Sequence, residues 1–328
     1  MPHATIVPLR GAASAAGMPA APSSALASAD HGAPGSRFWC PTLGAGASAV
    51  LELCPQVDAM SQQVAKLPIR ISVTRPVVGQ YLVMLKTLAA AWSARSRPAL
   101  VSALGALVHV GDSLAQSFTR EALAGCRADH GRAALRVLDA LQRRLAAPLA
   151  GFAALELDVA SYLAQMASAS AELDADTRLV TQRLQSDYVH AFMLSQQASS
   201  LQNRLDDAKL QEHAPWLLGP HAGKLRQEIC LHNSALEGVR RQLDHLRAEQ
   251  CATQAEADYL QRLLPTLTTY LGAVERTRGA ITALLAGGRA LARDPGAAGD
   301  MHHQLGAALP HWHALAASSA LLRPGELS

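Results

Sequence analysis

Histidine and aspartate are the residue types of this chain that come nearest to a chemical site. His302-His303 and His311-Trp312-His313 invite a metal, but no cysteine or carboxylate stands at a spacing that would complete a zinc site. Asp174 and Asp176 are two residues apart on a predicted helix, so they point to different faces and form no acid–base pair. The sequence also lacks P-loop, GxSxG, HExxH and GxGxxG motifs. It therefore predicts no catalytic, metal or cofactor site, and a protein that is not an enzyme.

Cysteine usage and charge narrow the class of protein further. The five cysteines are scattered and include no CxxC pair, which predicts isolated thiols in a reducing cytoplasm: Cys40, Cys54, Cys126, Cys230 and Cys251. The net charge of +3 is too balanced to favour a nucleic acid as partner. No secretory signal is evident, and the longest apolar stretch, 98–111, is too short to cross a bilayer. We expect a protein that is soluble as made.

Composition divides the chain into three parts, and the alanine- and leucine-rich whole predicts an all-α fold. Residues 1–54 are rich in Ala, Gly, Pro and Ser, and we expect them to be disordered, although Phe38 and Trp39 are able to dock on the folded part. Residues 55–153 together with 286–328 are predicted to form a helical bundle, the tail.

Residues 154–285 carry a heptad pattern that predicts a long antiparallel coiled-coil hairpin, the neck and head, projecting from this elongated bundle. The first arm has a stripe of alternating four- and three-residue steps with an expected stutter near Tyr188: Leu155, Val159, Tyr162, Met166, Ala169, Leu173, Val180, Leu184, Ala191, Leu194, Ala198, Leu201, Leu205 and Ala208. The second arm repeats the pattern: Leu225, Ile229, His232, Leu236, Val239, Leu243, Leu246, Gln250, Thr253, Ala257, Leu260, Leu264, Leu267, Leu271, Val274, Arg278, Ile281 and Leu285.

Helix breakers stand at similar heights on the two arms. Pro148 on one arm and Gly287 with Gly288 on the other predict hinges where the hairpin joins the bundle. Pro265 predicts a further hinge, because its missing N–H should kink the returning helix.

His232 is a titratable residue on the predicted seam, and two interpretations stay open. A single polar residue at a seam position fixes the register of a coiled coil. Alternatively, His232 acts as a proton-sensitive latch, because a charged imidazole is costly between apolar neighbours.

The loop between the arms, residues 212–224, is the most informative stretch for function. It contains the apolar triplet Trp216, Leu217 and Leu218, which stands between Pro215 and Pro220. A tight turn needs the prolines but has no need of the triplet. In one interpretation the triplet folds back over the hairpin end as a hydrophobic staple. In the other it enters a lipid interface or a partner groove, since tryptophan is favoured where an apolar ring meets water.

The 4-3 stripe and the tip "APWLLGP" make this architecture resemble the alpha-helical pore-forming toxins of the cytolysin A superfamily, in particular the B component of xenorhabdolysin-type binary cytotoxins. The resemblance covers about residues 55 to 295. It implies a soluble, then secreted or released, subunit that joins a second helical toxin subunit in a hetero-oligomeric ring on lipid of the target-cell membrane. The three apolar tip residues are enough to anchor but not to span a bilayer. The alternative is a non-enzymatic coiled-coil interaction protein, such as a secreted effector or scaffold.

Overall fold

The computed structural model describes residues 38–68, 77–123, 130–212, 220–293 and 301–320, and every regular element within these ranges is helical, which confirms the predicted all-α class. The elements in chain order are α1 (Pro41–Lys66), α2 (Val77–Ala91), a π-helical turn (Trp92–Ser96), α3 (Arg97–Leu123), α4 (His130–Glu212), α5 (Pro220–Arg293) and α6 (Met301–Ala320). The two longest, α4 and α5, have 83 and 74 residues. At about 1.5 Å per residue each is more than about 100 Å long.

Helices α4 and α5 form an antiparallel pair, and contacts between their side chains fix its register. Near the base, the guanidinium of Arg278 lies 3.1 Å from Glu156 Oε1. Further along, Arg240 Nη2 donates to Gln202 Oε1 at 3.0 Å. At the far end, Arg226 Nε lies 3.3 Å from Glu212 Oε1. The partner number falls on α5 as it rises on α4, so the predicted hairpin is present.

The other helices pack along the lower part of this hairpin and form the body. Helix α1 lies on α5, while α2 and α3 lie on α4 and α6 closes the base against α3. One apolar core joins them, and it reaches up to Val180 on α4 and Ala257 on α5. The packed body therefore extends past the predicted limits at 154 and 285, because α1 to α3 run beside the hairpin rather than below it.

The expectation of disorder for residues 1–54 is wrong for residues 38–54; residues 1–37 lie outside the described part of the chain. Helix α1 begins at Pro41, and Phe38 and Trp39 are buried. The indole N–H of Trp312 donates to the carbonyl of Phe38 at 2.8 Å. The small residues that look like low complexity have a packing reason: a Cβ on Gly46 would come within 2.6 Å of the Leu284 backbone nitrogen. Glycine there lets α1 and α5 approach closely.

The predicted helix breakers do not end their helices. Helix α4 runs through Pro148, and α5 runs through Pro265, Gly287 and Gly288. The hairpin therefore joins the body without a break in either arm, and a proline in a long helix is tolerated where packing holds both sides. Gly287 and Gly288 are buried and meet neighbouring helices, which gives them a packing role. Their action as hinges stays a prediction.

Candidate functional site: the projecting hairpin

Above Val180 and Ala257, α4 and α5 continue as two helices that share no core with the body; we call residues 181–212 and 220–256 the projecting hairpin. Its seam has a separate apolar cluster of Leu194, Val239, Leu243 and Leu246, with Ala191, Ala198 and Leu201 packed against it. Toward the tip, Leu205, Ala208, Leu225 and Leu236 are also buried. The predicted 4-3 stripe is thus confirmed along the projecting hairpin. Within the body it is wrong at Arg278, which is exposed while Thr277 beside it is buried.

The predicted stutter near Tyr188 is wrong. The side chain of Asp187 occupies the next seam position after Leu184 and is only 17% exposed, whereas Tyr188 is 54% exposed. Thr177 is buried at the seam position between Leu173 and Val180. The seam takes two successive four-residue steps, from Ala169 to Leu173 and from Leu173 to Thr177, so a shift of frame lies there and not near Tyr188. Packing of the pair fixes which face points inward even where that face is not apolar.

A polar layer crosses the seam of the projecting hairpin at Asp187. The Gln202–Arg240 and Glu156–Arg278 contacts lie on either side of Asp187, and together they place Gln250 of α5 within about one helical turn of its height. Asp187 Oδ2 and Gln250 Nε2 are both buried, and among the described residues neither has a hydrogen-bond partner. Arg183 Nε is 3.8 Å from Asp187 Oδ2, which is a long ion pair. Because an unpaired buried polar atom is costly, this layer weakens the two-helix seam.

His232 lies half-buried on α5, at the seam position that the heptad pattern gives it. Its neighbours in the stripe, Ile229 and Leu236, are half-buried and buried. This agrees with a polar residue in a coiled-coil seam, and the proton-sensitive latch stays a prediction.

The described helices stop on either side of the tip. Helix α4 ends at Glu212, whose carboxylate holds Arg226 across the pair, and α5 begins with Pro220, which is exposed. The predicted site residues Pro215, Trp216, Leu217 and Leu218 lie outside the described residues. Helix α4 therefore leads the chain to one end of the rod, and α5 returns it from there.

A cluster of exposed apolar side chains on α4 was not predicted. Tyr188, Val189, Phe192 and Met193 are 54%, 65%, 61% and 59% exposed. Their spacing of one and four residues puts them on one side of the helix, away from the seam with α5. Four apolar residues that fall outside the heptad stripe are the signal in the sequence, although the stripe alone explains Tyr188 as the site of a stutter.

Within the body, a polar cluster surrounds Asp58 of α1. Trp92 Nε1 donates to Asp58 Oδ1 at 2.9 Å, and Arg97 Nε lies 2.6 Å from Asp58 Oδ2. Trp92 opens the π-helical turn, in which the N–H of Arg97 bonds to the Trp92 carbonyl. The wider turn suits Pro98, which has no N–H for the normal helical bond. Burial, with the negative charge of Asp58 nearby, raises the pKa of the Cys54 thiol to about 11, so this cysteine is unreactive.

Two buried tyrosines join α4 and α5 beside this cluster. The hydroxyls of Tyr162 on α4 and Tyr270 on α5 are 2.5 Å apart, and the ring of Tyr162 contacts that of Trp92. Burial raises the pKa of Tyr270 to about 12 and also raises the pKa of Tyr162. Both therefore stay protonated at neutral pH, and one donates to the other.

This pair makes the stability of the protein sensitive to alkali. Unfolded tyrosines ionise near pH 10, while the folded pair holds its protons to higher pH. The free energy of unfolding contributed by the pair is fully present below about pH 10 and is lost as the pH rises toward about 12. We expect Tyr162→Phe alone to cost about 1–3 kcal/mol, because the Tyr270 hydroxyl loses its partner.

The double variant Tyr162→Phe with Tyr270→Phe is the matched control, since replacing both partners removes the unpaired hydroxyl and is nearly neutral at pH 7. Urea unfolding of the wild type and of the double variant at pH 7, 9 and 11 measures the difference. A wild type that loses no more stability than the double variant above pH 10 would show that these hydroxyls are not buried together.

His311 of α6 has a structural role. The ring of His311 stacks on Trp39 with centroids 5.2 Å apart, and Trp39 meets Trp312 edge-on at the same distance. Over the described residues, no group of three or more His, Cys, Asp or Glu side chains is placed to hold a metal ion.

Two described helical stretches are long and apolar enough, by length and composition, to cross a membrane: Val78–Ser117 and Arg136–Glu212. Of their apolar windows, 50% and 33% are buried inside the protein. Neither stretch is an uninterrupted run of apolar residues, which the sequence prediction required, whereas mean hydropathy admits interspersed polar residues. Core helices of soluble proteins pass the same test. Leu82 and Leu85 of the first stretch belong to the apolar core of the body, which accounts for its hydropathy.

Comparison with known proteins identifies the fold. The sequence matches no protein-family model and no curated protein. The AhlB pore of the tripartite alpha-pore-forming toxin AHL from Aeromonas hydrophila is similar, with a TM-score of 0.53 and 11% identity over 86% of this chain and 96% of that one. A triple head mutant of soluble AhlC from the same toxin has a TM-score of 0.51 and 13% identity, over 84% of this chain and 98% of that one. Soluble SmhB of the tripartite alpha-pore-forming toxin Smh from Serratia marcescens has a TM-score of 0.51 and 10% identity, over 86% of this chain and 89% of that one.

The chain therefore has the fold of an alpha-helical pore-forming toxin component, as the resemblance predicted. The likeness extends over the body and the hairpin together, since more than four-fifths of each chain is covered.

Proposed function

We propose that this chain is a subunit of a multi-component alpha-pore-forming toxin that assembles with at least one other helical subunit on a target membrane. The observation that supports this most is a hairpin that extends beyond the body as only two helices, in a chain with the fold of such toxin components. The cluster at Phe192 exposes apolar side chains, and the tip sequence contains the apolar triplet Trp216, Leu217 and Leu218.

The tip and the arms of the hairpin have different roles, which follow from their residues. Trp216, Leu217 and Leu218 anchor the tip in the lipid interface, where an indole ring is favoured. The arms are amphipathic, so they line a wet pore only when neighbouring subunits cover their other faces. This favours a subunit that depends on a partner over a toxin that acts alone, and a non-enzymatic mode of action.

The finer version of the proposal is a binary toxin, in which one partner subunit completes a hetero-oligomeric ring. The chain is made soluble in the cytoplasm of the producing cell, is then secreted or released, and acts in virulence at the membrane of the target cell. The solved structures that it resembles are of tripartite toxins, so the number of partners is the first quantity to measure.

Leakage of dye from phosphatidylcholine liposomes tests the function. The chain is added alone, with each long-hairpin protein encoded by an adjacent gene, and with those proteins in pairs. We expect leakage with one partner and little with the chain alone. A need for two partners would reject the binary version only. Absence of leakage and of binding in every mixture would reject the pore and favour a coiled-coil interaction protein.

A further inference from the structure

The outward side of α4 on the projecting hairpin is uncharged over an unusual length. Residues 188–203, "YVHAFMLSQQASSLQN", include no Asp, Glu, Lys or Arg. The side turned away from α5, which we call the outer face, is formed by Tyr188, Val189, Phe192, Met193, Ser195, Gln196, Ser199, Ser200 and Asn203, all of them exposed. At about 1.5 Å per residue the uncharged stretch is about 24 Å long.

Helix α5 has the opposite character at the same height. The bond from Arg240 to Gln202 aligns the far end of the uncharged stretch with the α5 residues that start just before Arg240. From there toward the body, α5 carries six charged residues: Glu237, Arg240, Arg241, Asp244, Arg247 and Glu249. Arg241 is 3.7 Å from Glu237, and both side chains are more than two-thirds exposed. One side of the rod is therefore charged, and the other is uncharged.

The outer face has the composition and the shape of a helix-packing surface. Aromatic residues and methionine are enriched in the cores of protein interfaces, and charged residues are depleted there. Tyr188, Phe192 and Met193 form the apolar end of the face. Beyond Phe192 a shallow groove is lined by Ser195, Gln196, Ser199, Ser200 and Asn203, and it ends at the charged residues Arg204 and Asp207. The small serine side chains leave room for a ridge of another helix along the uncharged part of the groove.

The chemistry of the face selects among its candidate occupants. Lipid chains offer no hydrogen bonds, so Gln196, Asn203 and three exposed serines are poorly matched to hydrocarbon. In a ring of parallel rods, each copy of this chain would have to present a different face to its neighbour. At this height the remaining surface belongs mostly to charged α5, and burying Arg240 or Arg241 against an uncharged face is costly. A different subunit avoids that cost.

We propose that the outer face of α4, from Tyr188 to Asn203, binds a helix of a different toxin subunit, one that presents an uncharged face with large aliphatic side chains to the serine-lined groove. This rests on the proposed function and adds to it the surface of contact and the kind of partner. It also assigns the two arms: α4 lies against the neighbour, and charged α5 faces water.

The test places a fluorescent reporter on each arm. Cys40, Cys126, Cys230 and Cys251 are replaced by serine, while buried Cys54 stays, because it will not react. The environment-sensitive dye NBD is attached at Phe192→Cys or, as the matched control on α5, at Arg241→Cys. Each labelled protein is added to liposomes of ordinary or brominated phosphatidylcholine, with and without the adjacent-gene hairpin proteins that produce leakage.

We expect a several-fold rise in NBD emission at position 192 only when the other subunit is present, with no quenching by brominated lipid and no change at position 241. A rise without the other subunit, whether quenched by lipid or not, would overturn the proposal in favour of lipid or a second copy. An unchanged signal at 192 in a leaking mixture would overturn the contact while leaving the pore function intact. If no mixture leaks, the proposed function and this inference both fail.

A charge placed in the face gives an independent measurement. Phe192→Arg is expected to lower leakage in the active mixture at least tenfold, because the new charge must be desolvated to reach the partner. Leu157→Arg is the control, since Leu157 is also an apolar residue on α4, 68% exposed, but lies beside the body. Circular dichroism confirms that both variants fold. Equal leakage by Phe192→Arg and wild type would contradict the proposed contact.

Discussion

Replacing Trp216, Leu217 and Leu218 together by serine is expected to weaken binding to phosphatidylcholine liposomes about 100-fold. Full burial of one such side chain is worth about 1.5–3 kcal/mol, and an interface buries only part of each, so the three together contribute about 3 kcal/mol. Each 1.4 kcal/mol is about tenfold in affinity. Co-sedimentation with liposomes in the presence of the partner subunit measures the loss, and leakage should fall in parallel.

The control for the tip variant is Leu157→Ser on the body, which removes an exposed leucine far from the tip. It should bind and permeabilise liposomes like the wild type. If the triple serine variant binds lipid as tightly as Leu157→Ser does, then the tip is not the membrane anchor. The triplet would then be a staple over the hairpin end, and its loss would lower the free energy of unfolding instead.

The hairpin was predictable because a heptad stripe shows which face of each helix packs against the other. Over about sixty residues the period is set by helix geometry, so one polar residue such as Thr253 or Gln250 does not hide it. The same regularity explains the error at Tyr188. The gap between Leu184 and Ala191 looked like a stutter because Asp187, which fills the seam position between them, is polar.

Helix α1 and the continuous path of α4 and α5 were missed for a different reason. Local composition marks Gly, Pro and Ser as loop formers, but it does not indicate which other helix lies opposite them. Gly46 and Pro148 are inside helices because tertiary contacts favour a helix there, and for Gly46 those contacts come from residues more than two hundred positions away. Only the three-dimensional arrangement supplies that information.

The apolar outer face of α4 was visible in the sequence, yet its meaning depends on the fold. Phe192 and Met193 would be ordinary core residues if another helix of this chain covered them. Their exposure follows from where the body ends, since its core reaches Val180 and no further along α4. The site is thus defined by the length of α1 to α3 as much as by its own residues.

Gly287→Ala is expected to lower the free energy of unfolding by about 3 kcal/mol. A Cβ at Gly287 would lie 2.7 Å from the Cα of Leu43, a backbone atom that does not yield without moving α1. Overpacking of this kind typically costs about 1–3 kcal/mol, and contact with backbone puts this site at the upper end. The usual effect of Gly→Ala inside a helix has the opposite sign, a gain of about 1 kcal/mol.

Gly279→Ala in the same helix is the control and should be stabilising, because a Cβ at Gly279 meets no atom within 4 Å. Urea unfolding followed by circular dichroism should therefore show the two alanine variants shifting in opposite directions. If Gly287→Ala is as stabilising as Gly279→Ala, α1 does not pack on α5 at this point. If Gly287→Ala keeps the stability of the wild type but abolishes leakage, the glycine acts as the hinge predicted from the sequence, and close packing is not its main role.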